Sequence, residues 1–164
     1  MAQIVRITTF GIDDLVAELQ RIENSTDDIM RSVVKDGVNV VADTMKAQLR
    51  ALKTTKDDKY VGKTSKRYAT KNEKEGLIES MGYTHIDLRD DVYNAKVGFD
   101  GYNNTKTKKY PKGQPNPMIA NFIDRGTSYM IAQPFITKTK NLAKANALDK
   151  MQQALDREIT KRTR

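Results

Sequence analysis

The apolar positions of this chain follow the helical period in its first third. Between residues 12 and 22 they recur every three or four positions, which predicts a short amphipathic helix. Ser25 is a predicted N-cap, and Asp27 and Asp28 follow where the helix dipole favours acids. The helix that begins there is predicted to run to about Lys53, with one broad apolar face. That face comprises Ile29, Met30, Val33, Val34, Val38, Val40, Val41, Met45, Leu49 and Leu52.

Two further helices are predicted in the last third of the chain. Asn116 is the predicted cap of the first, and Gly126 fits the left-handed residue that ends it. Pro134 is predicted to open the second helix, which continues to the carboxyl end. Its predicted buried stripe comprises Phe135, Leu142, Leu148, Met151, Leu155 and Ile159. Gly37, in the middle of the long helix, costs about 1 kcal/mol relative to alanine and predicts close approach of another backbone there.

Extended structure is predicted at the amino end and in the middle. Residues 4–8 form a β-branched run typical of a strand, and residues 83–88 and 92–99 flank an acidic turn, which predicts a hairpin. The order of elements predicts an α+β fold over residues 1–164 as a single domain. In it a small antiparallel β-sheet is packed by the long helix of the amino-terminal half and by the C-terminal helix.

Two polar stretches, residues 54–75 and 101–115, are predicted to be mobile basic loops. The first contains only Tyr60, Val61 and Tyr68 as sizeable apolar groups, too little buried surface to offset the entropy cost of ordering it. A loop of this length inside a small domain is usually functional or disordered.

Composition excludes several kinds of chemistry. The 164 residues include no Cys and a single His, so disulfides, thiolate nucleophiles, zinc–thiolate sites and multi-histidine metal sites are not expected. No apolar run has the length of a membrane span or of a secretory signal. The chain is expected to be an intracellular protein, or part of a particle assembled inside a cell, with no catalytic residues, no cofactor, no metal and no membrane partner.

Paired acids and His85 were the remaining candidates for chemistry. The pairs, such as Asp57-Asp58 and Asp90-Asp91, are neighbours in sequence, so their side chains diverge and are better explained by capping or solvation. His85 is predicted to be an ordinary strand histidine. Gly62-Lys63-Thr64 lacks the glycine five residues earlier that a phosphate-binding loop requires.

The charge is distributed in alternating blocks. The chain has 29 Lys and Arg against 21 Asp and Glu, a net charge of +8. Residues 1–45 carry four basic and eight acidic side chains, whereas residues 46–75 carry ten and four. This pattern suits self-association between unlike faces at least as well as nucleic-acid binding.

Non-specific DNA binding through residues 53–74 is the alternative function that the sequence supports. Lysine predominates there and two tyrosines are interleaved, which suits phosphate contact more than base recognition. A solvated loop without a partner explains the same residues. The candidate DNA-facing residues are Lys56, Lys59, Lys63, Lys66, Arg67 and Lys71.

Residues 118–137, MIANFIDRGTSYMIAQPFIT, resemble a known motif. The segment is similar to one in the head–tail joining or tail-completion proteins of long-tailed double-stranded DNA bacteriophages and prophages, also called minor tail or minor capsid proteins. Their Gly-Thr-Ser segment is followed by a Pro-Phe pair that opens a C-terminal helix. The start Gly11-Ile12-Asp13-Asp14-Leu15 and the long helix with Gly37 resemble the same family, whereas Asp124-Arg125 departs from its usual Glu and aromatic residue.

The resemblance implies a structural protein that forms a ring homo-oligomer, a hexamer in the assembled virion. A monomeric state of the isolated protein is compatible with this expectation. Implied partners are the connector or stopper of the head and the tail-tube or tail-terminator proteins, with transient non-specific DNA contact. The implied location is the virion head–tail interface, after assembly in the host cytoplasm. The residues expected to contact a neighbouring subunit or partner are Arg125, Gly126, Thr127, Ser128, Gln133, Pro134 and Phe135, with Arg125 in an inter-subunit ion pair and Phe135 as a buried anchor.

Overall fold

A computed structural model describes residues 12–55, 66–104, 106 and 108–163. Within these residues lie five helices, α1 to α5, and four short strands, β1 to β4. The helices span Ile12–Asn24, Thr26–Arg50, Lys71–Ser80, Asn116–Arg125 and Phe135–Arg162, and the strands span Met81–Tyr83, Asp87–Arg89, Val92–Asn94 and Val97–Phe99. The predicted strand over residues 4–8 lies outside the described residues.

The long helix α2 packs against the C-terminal helix α5, and this confirms the α+β prediction. The two helices run antiparallel, since Ile29 and Val33 near the start of α2 meet Ala154 near the end of α5. Midway along α2, a Cβ built on Gly37 would lie 2.6 Å from Met151 Sδ and 3.9 Å from the Ala147 carbonyl oxygen. Gly37 is therefore closely approached, but by the Met151 side chain and not by the backbone that the sequence predicted.

The predicted stripe of α5 is wrong at two of its leucines. Leu142 and Leu148 are each 57% exposed, while Thr139, Ala143 and Ala147 are buried instead. The buried residues follow an every-fourth-residue ridge, the kind that packs into the grooves of a neighbouring helix. Small side chains on that ridge let α5 lie close to α2, so the bulky leucines are turned to its flanks.

The main apolar core lies where the end of α2, helix α3, helix α4 and the start of α5 converge. Phe135, at the start of α5, is 2% exposed, and its ring meets that of Phe99 edge-on with centroids 6.1 Å apart. The other buried members of this core are Met45, Leu49, Leu52, Ala69, Leu77, Ile119, Ala120, Ile123 and Met130.

The predicted hairpin is present but interrupted. β1 pairs with β4 and β2 with β3, both antiparallel, and three residues (84–86) face two (95–96) between the two ladders. The extra residue is a bulge, which bends the hairpin. At its tip Asp90 and Asp91 have φ of +50° and +59°, the pattern of a type I′ turn. His85 is exposed within the bulge.

The hairpin is held to the first turns of α2 by a polar cluster. The Tyr93 hydroxyl donates to Asp27 at 2.8 Å, and Arg31 donates from Nε to the same carboxylate at 2.7 Å. Arg31 also donates to the Ile86 carbonyl at 2.6 Å. The hydrogen bonds from Arg31 and Tyr93 lower the pKa of Asp27. The sheet is thus docked onto α2 through groups at the surface.

The predicted loop over residues 54–75 is shorter than expected. Its last five residues begin helix α3, which starts with a capping box: the Thr70 hydroxyl accepts from the Glu73 N–H at 3.2 Å and Glu73 accepts from the Thr70 N–H at 2.7 Å. Residues 66–70 are extended, and Ala69, which is fully buried, bridges to Thr54. Two hydrogen bonds join the ends of the second predicted loop. The Asn103 N–H donates to the Gln114 carbonyl and the Gln114 N–H donates to Asn103 Oδ1, both at 2.9 Å.

Two helix caps differ from the sequence prediction. Ser25 occupies the N-cap position of α2, but its hydroxyl donates back to the Arg21 carbonyl at 2.5 Å and makes no cap bond. At α4 the N-cap position is Pro115, and the Asn116 side chain is used elsewhere. No helix in the described ranges is both long and apolar enough to cross a membrane.

Candidate functional site

Gly126 ends helix α4 in a conformation that only glycine adopts readily. Its φ of +76° and ψ of 172° lie in a region that is strained for any residue with a side chain. The Gly126 N–H donates to the Phe122 carbonyl at 2.8 Å, as a helix terminator should. A Cβ there would also lie 3.0 Å from the Ala132 nitrogen and the Met130 oxygen, both backbone atoms. The predicted role of Gly126 as the end of the helix is confirmed.

Thr127 organises the turn that follows. Its hydroxyl accepts from the N–H groups of Tyr129 at 3.1 Å and Met130 at 3.0 Å, and its own N–H donates to the Met130 carbonyl at 3.0 Å. Met130 is consequently held inward in the core, while Ser128 and Tyr129 face solvent, Tyr129 with 69% of its surface exposed. The turn therefore presents a polar and aromatic tip on a fixed base.

The segment after this turn is joined to two distant parts of the chain. Met130 and Arg67 form a short parallel bridge: the Arg67 N–H donates to the Tyr129 carbonyl at 2.8 Å and the Ile131 N–H to the Arg67 carbonyl at 2.9 Å. Gln133 then ties down the chain beyond α2, because its side-chain amide accepts from the Lys53 N–H at 2.8 Å and donates to the Lys53 carbonyl at 3.0 Å. The motif segment is thus a structural junction.

The start of α5 is capped by a residue that the sequence analysis did not assign. Asp124, in the last turn of α4, accepts from the Ile136 N–H at 2.8 Å. An acid at a helix N-terminus is stabilising through both the hydrogen bond and the dipole. Since the two residues are far apart in sequence and belong to different helices, no local pattern signals the contact. The departure from the family pattern at this position therefore has a structural use in this chain.

The expected contact residues divide into buried and exposed groups. Phe135 is buried inside the chain and cannot itself touch a second subunit, and Gln133 is occupied by Lys53. Arg125, Ser128 and Pro134 are exposed. Arg125 has no ion pair within the residues that the structure describes. Their contact with a partner stays a prediction.

A small cavity of about 280 Å³ adjoins this junction. Lys53 and Tyr68 line one side, with the Lys53 ammonium 5.9 Å from the Tyr68 ring centroid, a cation–π distance. Ala132, Pro134 and Lys138 are among the residues that close the other side. The charged side chains among the residues described in its lining are Lys53 and Lys138, and the other lining residues are aromatic, aliphatic or amide side chains.

The candidate DNA-facing residues have different environments. Lys56, Lys59 and Lys63 lie outside the described residues. Lys66 and Lys71 are exposed, and Lys71 makes a loose ion pair with Glu75 at 3.7 Å.

Arg67, a candidate DNA-facing residue, has a role inside the fold. Its guanidinium makes two hydrogen bonds to Glu73, at 2.8 and 2.9 Å, and another to the Tyr68 carbonyl at 3.0 Å. Burial raises the pKa of Glu73, but the hydrogen bonds from Arg67 and from the Thr70 backbone outweigh it, so the pKa is lowered. Arg67 is therefore a structural cation that holds residues 66–70 against α3.

Lys74 is a second cation of this stretch with an internal role. Its ammonium donates to the Arg50 carbonyl at 2.6 Å and the Leu52 carbonyl at 3.0 Å. Cations stabilise helix C-termini because carbonyls there lack intrahelical donors. Lys74 thus closes the end of α2, and part of the basic charge that suggested DNA binding serves the fold.

Groups suited to metal binding were also sought. The described ranges contain no cluster of three or more His, Asp or Glu side chains arranged to hold a metal ion.

Comparison with protein-family models, with curated proteins and with solved structures finds no match to this chain.

Proposed function

We propose that this chain is a structural virion protein of the head–tail interface in a long-tailed double-stranded DNA bacteriophage or prophage. Copies form a ring that joins or completes the tail and lets DNA pass, without catalysis. Its partners are other copies of itself, the connector or stopper of the head, and the tail-tube or tail-terminator proteins. The virion is its final location, reached after assembly in the host cytoplasm.

The observation that carries this proposal is the construction of residues 126–135. Three motif positions that resemble the family have a specific use: Gly126 for its backbone conformation, Thr127 for the turn and Phe135 for the core. These contacts leave Ser128 and Tyr129 projecting from a base that three elements hold in place. A fixed, exposed tip is what a repeated subunit contact requires, because a rigid surface loses little entropy on binding.

Exposed apolar side chains on α5 support self-association. Ile136, Leu142 and Leu148 are 40%, 57% and 57% exposed on one long helix. Burying a leucine completely contributes about 1.5–3 kcal/mol, and more than half of that remains available at each of the two leucines. Such residues are stabilising when a neighbouring copy covers them.

The alternating charge supports the same proposal. A heterologous contact in a ring joins two different faces of the subunit, so acidic and basic faces attract without balancing within one face. DNA contact remains the alternative, but its candidate cation Arg67 and the neighbouring Lys74 both make hydrogen bonds within the chain. In this proposal, DNA passes through the ring and makes only transient, non-specific contact with it.

Purified protein mixed with DNA-filled heads and with tails that lack it tests the proposal. Negative-stain electron microscopy should show rings at the junction and an increase in joined particles. A Tyr129→Asp variant should reduce joining while keeping the far-ultraviolet circular dichroism of the wild type, and Tyr83→Asp, at another exposed aromatic residue, is the matched control. Protein that stays monomeric and adds to neither heads nor tails would refute the proposal.

Titration with duplex DNA at several salt concentrations examines the alternative. Non-specific binding through residues 53–74 would weaken steeply with salt, and Lys→Ala changes at Lys66 and Lys71 would reduce the slope. An absence of association at about 50 mM salt would eliminate it.

A further inference from the structure

An acidic pocket of about 500 Å³ lies at the opposite end of α4 from Gly126, between α3 and residues 100–104. Glu75 and Glu79, one turn apart on α3, form one wall, and Asp100 contributes to the other. None of the residues described in its lining is Lys or Arg. In a chain with a net charge of +8, this is a local concentration of negative charge.

A buried acceptor without a donor lies at the base of this pocket. Asn116 is 3% exposed, and its Nδ2 donates to the Asp100 carbonyl at 2.8 Å, which fixes the orientation of the amide. Its Oδ1 has no hydrogen-bond partner among the described residues. A Cβ on Gly76, another lining residue, would lie 3.8 Å from that oxygen, so the oxygen lies close beneath the Gly76 side of the pocket. A buried unpaired acceptor is unfavourable, and a ligand with N–H groups would remove the penalty.

The lining matches a guanidinium. Carboxylate and amide oxygens accept hydrogen bonds, and a guanidinium has five N–H donors and no acceptor. The Tyr102 ring lies at the pocket and is 59% exposed, and flat aromatic faces stack favourably with guanidinium groups. An anion would be repelled, and an apolar group would leave the Asn116 oxygen unpaired.

Arg125 of another copy is the occupant that the geometry favours. It is the last residue of α4 and Asn116 is the first, so the two ends are separated by nine rises, about 14 Å along the helix axis. That distance is too long for Arg125 to enter the pocket of its own copy. A donor at one end of a helix and an acceptor at the other generate a head-to-tail contact, which closes into a ring when the rotation allows.

We propose that Arg125 of one copy inserts its guanidinium between Glu79 and Asp100 of the next, donates to Asn116 Oδ1 and stacks on Tyr102. This inference rests on the proposed function, because it assumes that copies meet in a ring. It adds the acceptor for the inter-subunit ion pair that the sequence suggested for Arg125.

Charge reversal tests this contact. Arg125→Glu and Glu79→Arg should each weaken assembly by on the order of tenfold or more, measured by sedimentation velocity and by ring counts in electron micrographs of protein added to heads or tails. The double variant should assemble better than either single variant, because the pair between residues 125 and 79 is restored with reversed polarity, but worse than the wild type, because Asp100 and the Asn116 oxygen still favour a cation. An equimolar mixture of the two single variants should also form even-numbered rings.

Arg21→Glu is the matched control, since Arg21 is likewise an exposed base in the last turn of a helix. It should assemble as the wild type does, and circular dichroism should show that all variants are folded. Single variants that assemble normally, or a double variant as weak as the worse single one, would overturn the inference while leaving the ring intact. Wild-type protein that forms no ring even with heads and tails would instead remove the proposed function, and the inference with it.

Discussion

Replacing Glu73 by alanine examines the ion pair that fixes residues 66–70 to α3. The Glu73 side chain is 7% exposed and that of Arg67 20%. The carboxylate receives three hydrogen bonds, two from Arg67 and one from the Thr70 N–H. Glu73→Ala therefore leaves a mostly buried guanidinium without its acid and removes half of a capping box.

The expected loss in the free energy of unfolding is about 3 kcal/mol. Removing one member of a buried ion pair costs about 3–5 kcal/mol, and losing a helix cap costs about 0.5–2 kcal/mol. The lower end applies because Arg67 keeps partial contact with water and its bond to the Tyr68 carbonyl. Urea unfolding followed by circular dichroism measures the loss, and Glu75→Ala, at an exposed acid on the same helix, should change it by less than about 0.5 kcal/mol.

Acid should diminish the difference between Glu73→Ala and the wild type. Because the folded chain lowers the pKa of Glu73 below its ordinary value of 4.5, the ionised carboxylate stabilises the fold at pH values above that. This stabilisation is lost as the pH falls through the lowered pKa of the folded state. A difference below about 1 kcal/mol at neutral pH, unchanged by acid, would refute the buried pair and return Arg67 to the candidate DNA-facing residues.

Three other predictions concern local packing and turns, each measured by urea or thermal unfolding. Gly126→Ala should destabilise the fold by about 2–3 kcal/mol, because alanine is strained at that backbone conformation and meets two backbone atoms; a loss under about 0.5 kcal/mol would contradict it. Asp91→Gly should stabilise the type I′ turn by about 0.5–1 kcal/mol, since glycine accepts positive φ without strain; a decrease in stability would oppose it. Ala147→Leu should lower the free energy of unfolding by about 1–3 kcal/mol through overpacking against α2, whereas Leu148→Ser should lower it by less than about 1 kcal/mol. The reverse order would indicate that Leu148 is buried, as the sequence predicted.

Helices α1, α2 and α5 were predictable because their apolar patterns are long and periodic, whereas the start of α3 was predicted to be loop. The start of α2 and the end of α4 at Gly126 follow from local residue types, and so does the acidic hairpin turn. The capping box of Thr70 and Glu73 was also legible as a Thr followed three residues later by Glu, and it marks the start of α3. The high lysine content around it concealed that signal.

Non-local packing explains what the sequence did not reveal. The leucines of α5 looked like core residues because they are large and apolar, but the close contact with α2 at Gly37 selects small residues such as Ala143 and Ala147 for the buried ridge. Likewise the tie between Gln133 and Lys53 joins positions 80 residues apart. Both contacts join parts of the chain that are distant in sequence, so neither can be predicted from local residue patterns.

The antiparallel pairing of α2 with α5 has a consequence for biosynthesis. Helix α5, which packs along α2, begins at Phe135, so a ribosome must add more than eighty residues after α2 before α5 can cover its share of the apolar face. At about 5–20 residues per second, that interval lasts about 4–17 s. During it, the part of nascent α2 that α5 will cover stays exposed, and it is an apolar surface of the kind that chaperones bind. Slow release of the final helix from the ribosome would therefore lower the yield of folded subunits.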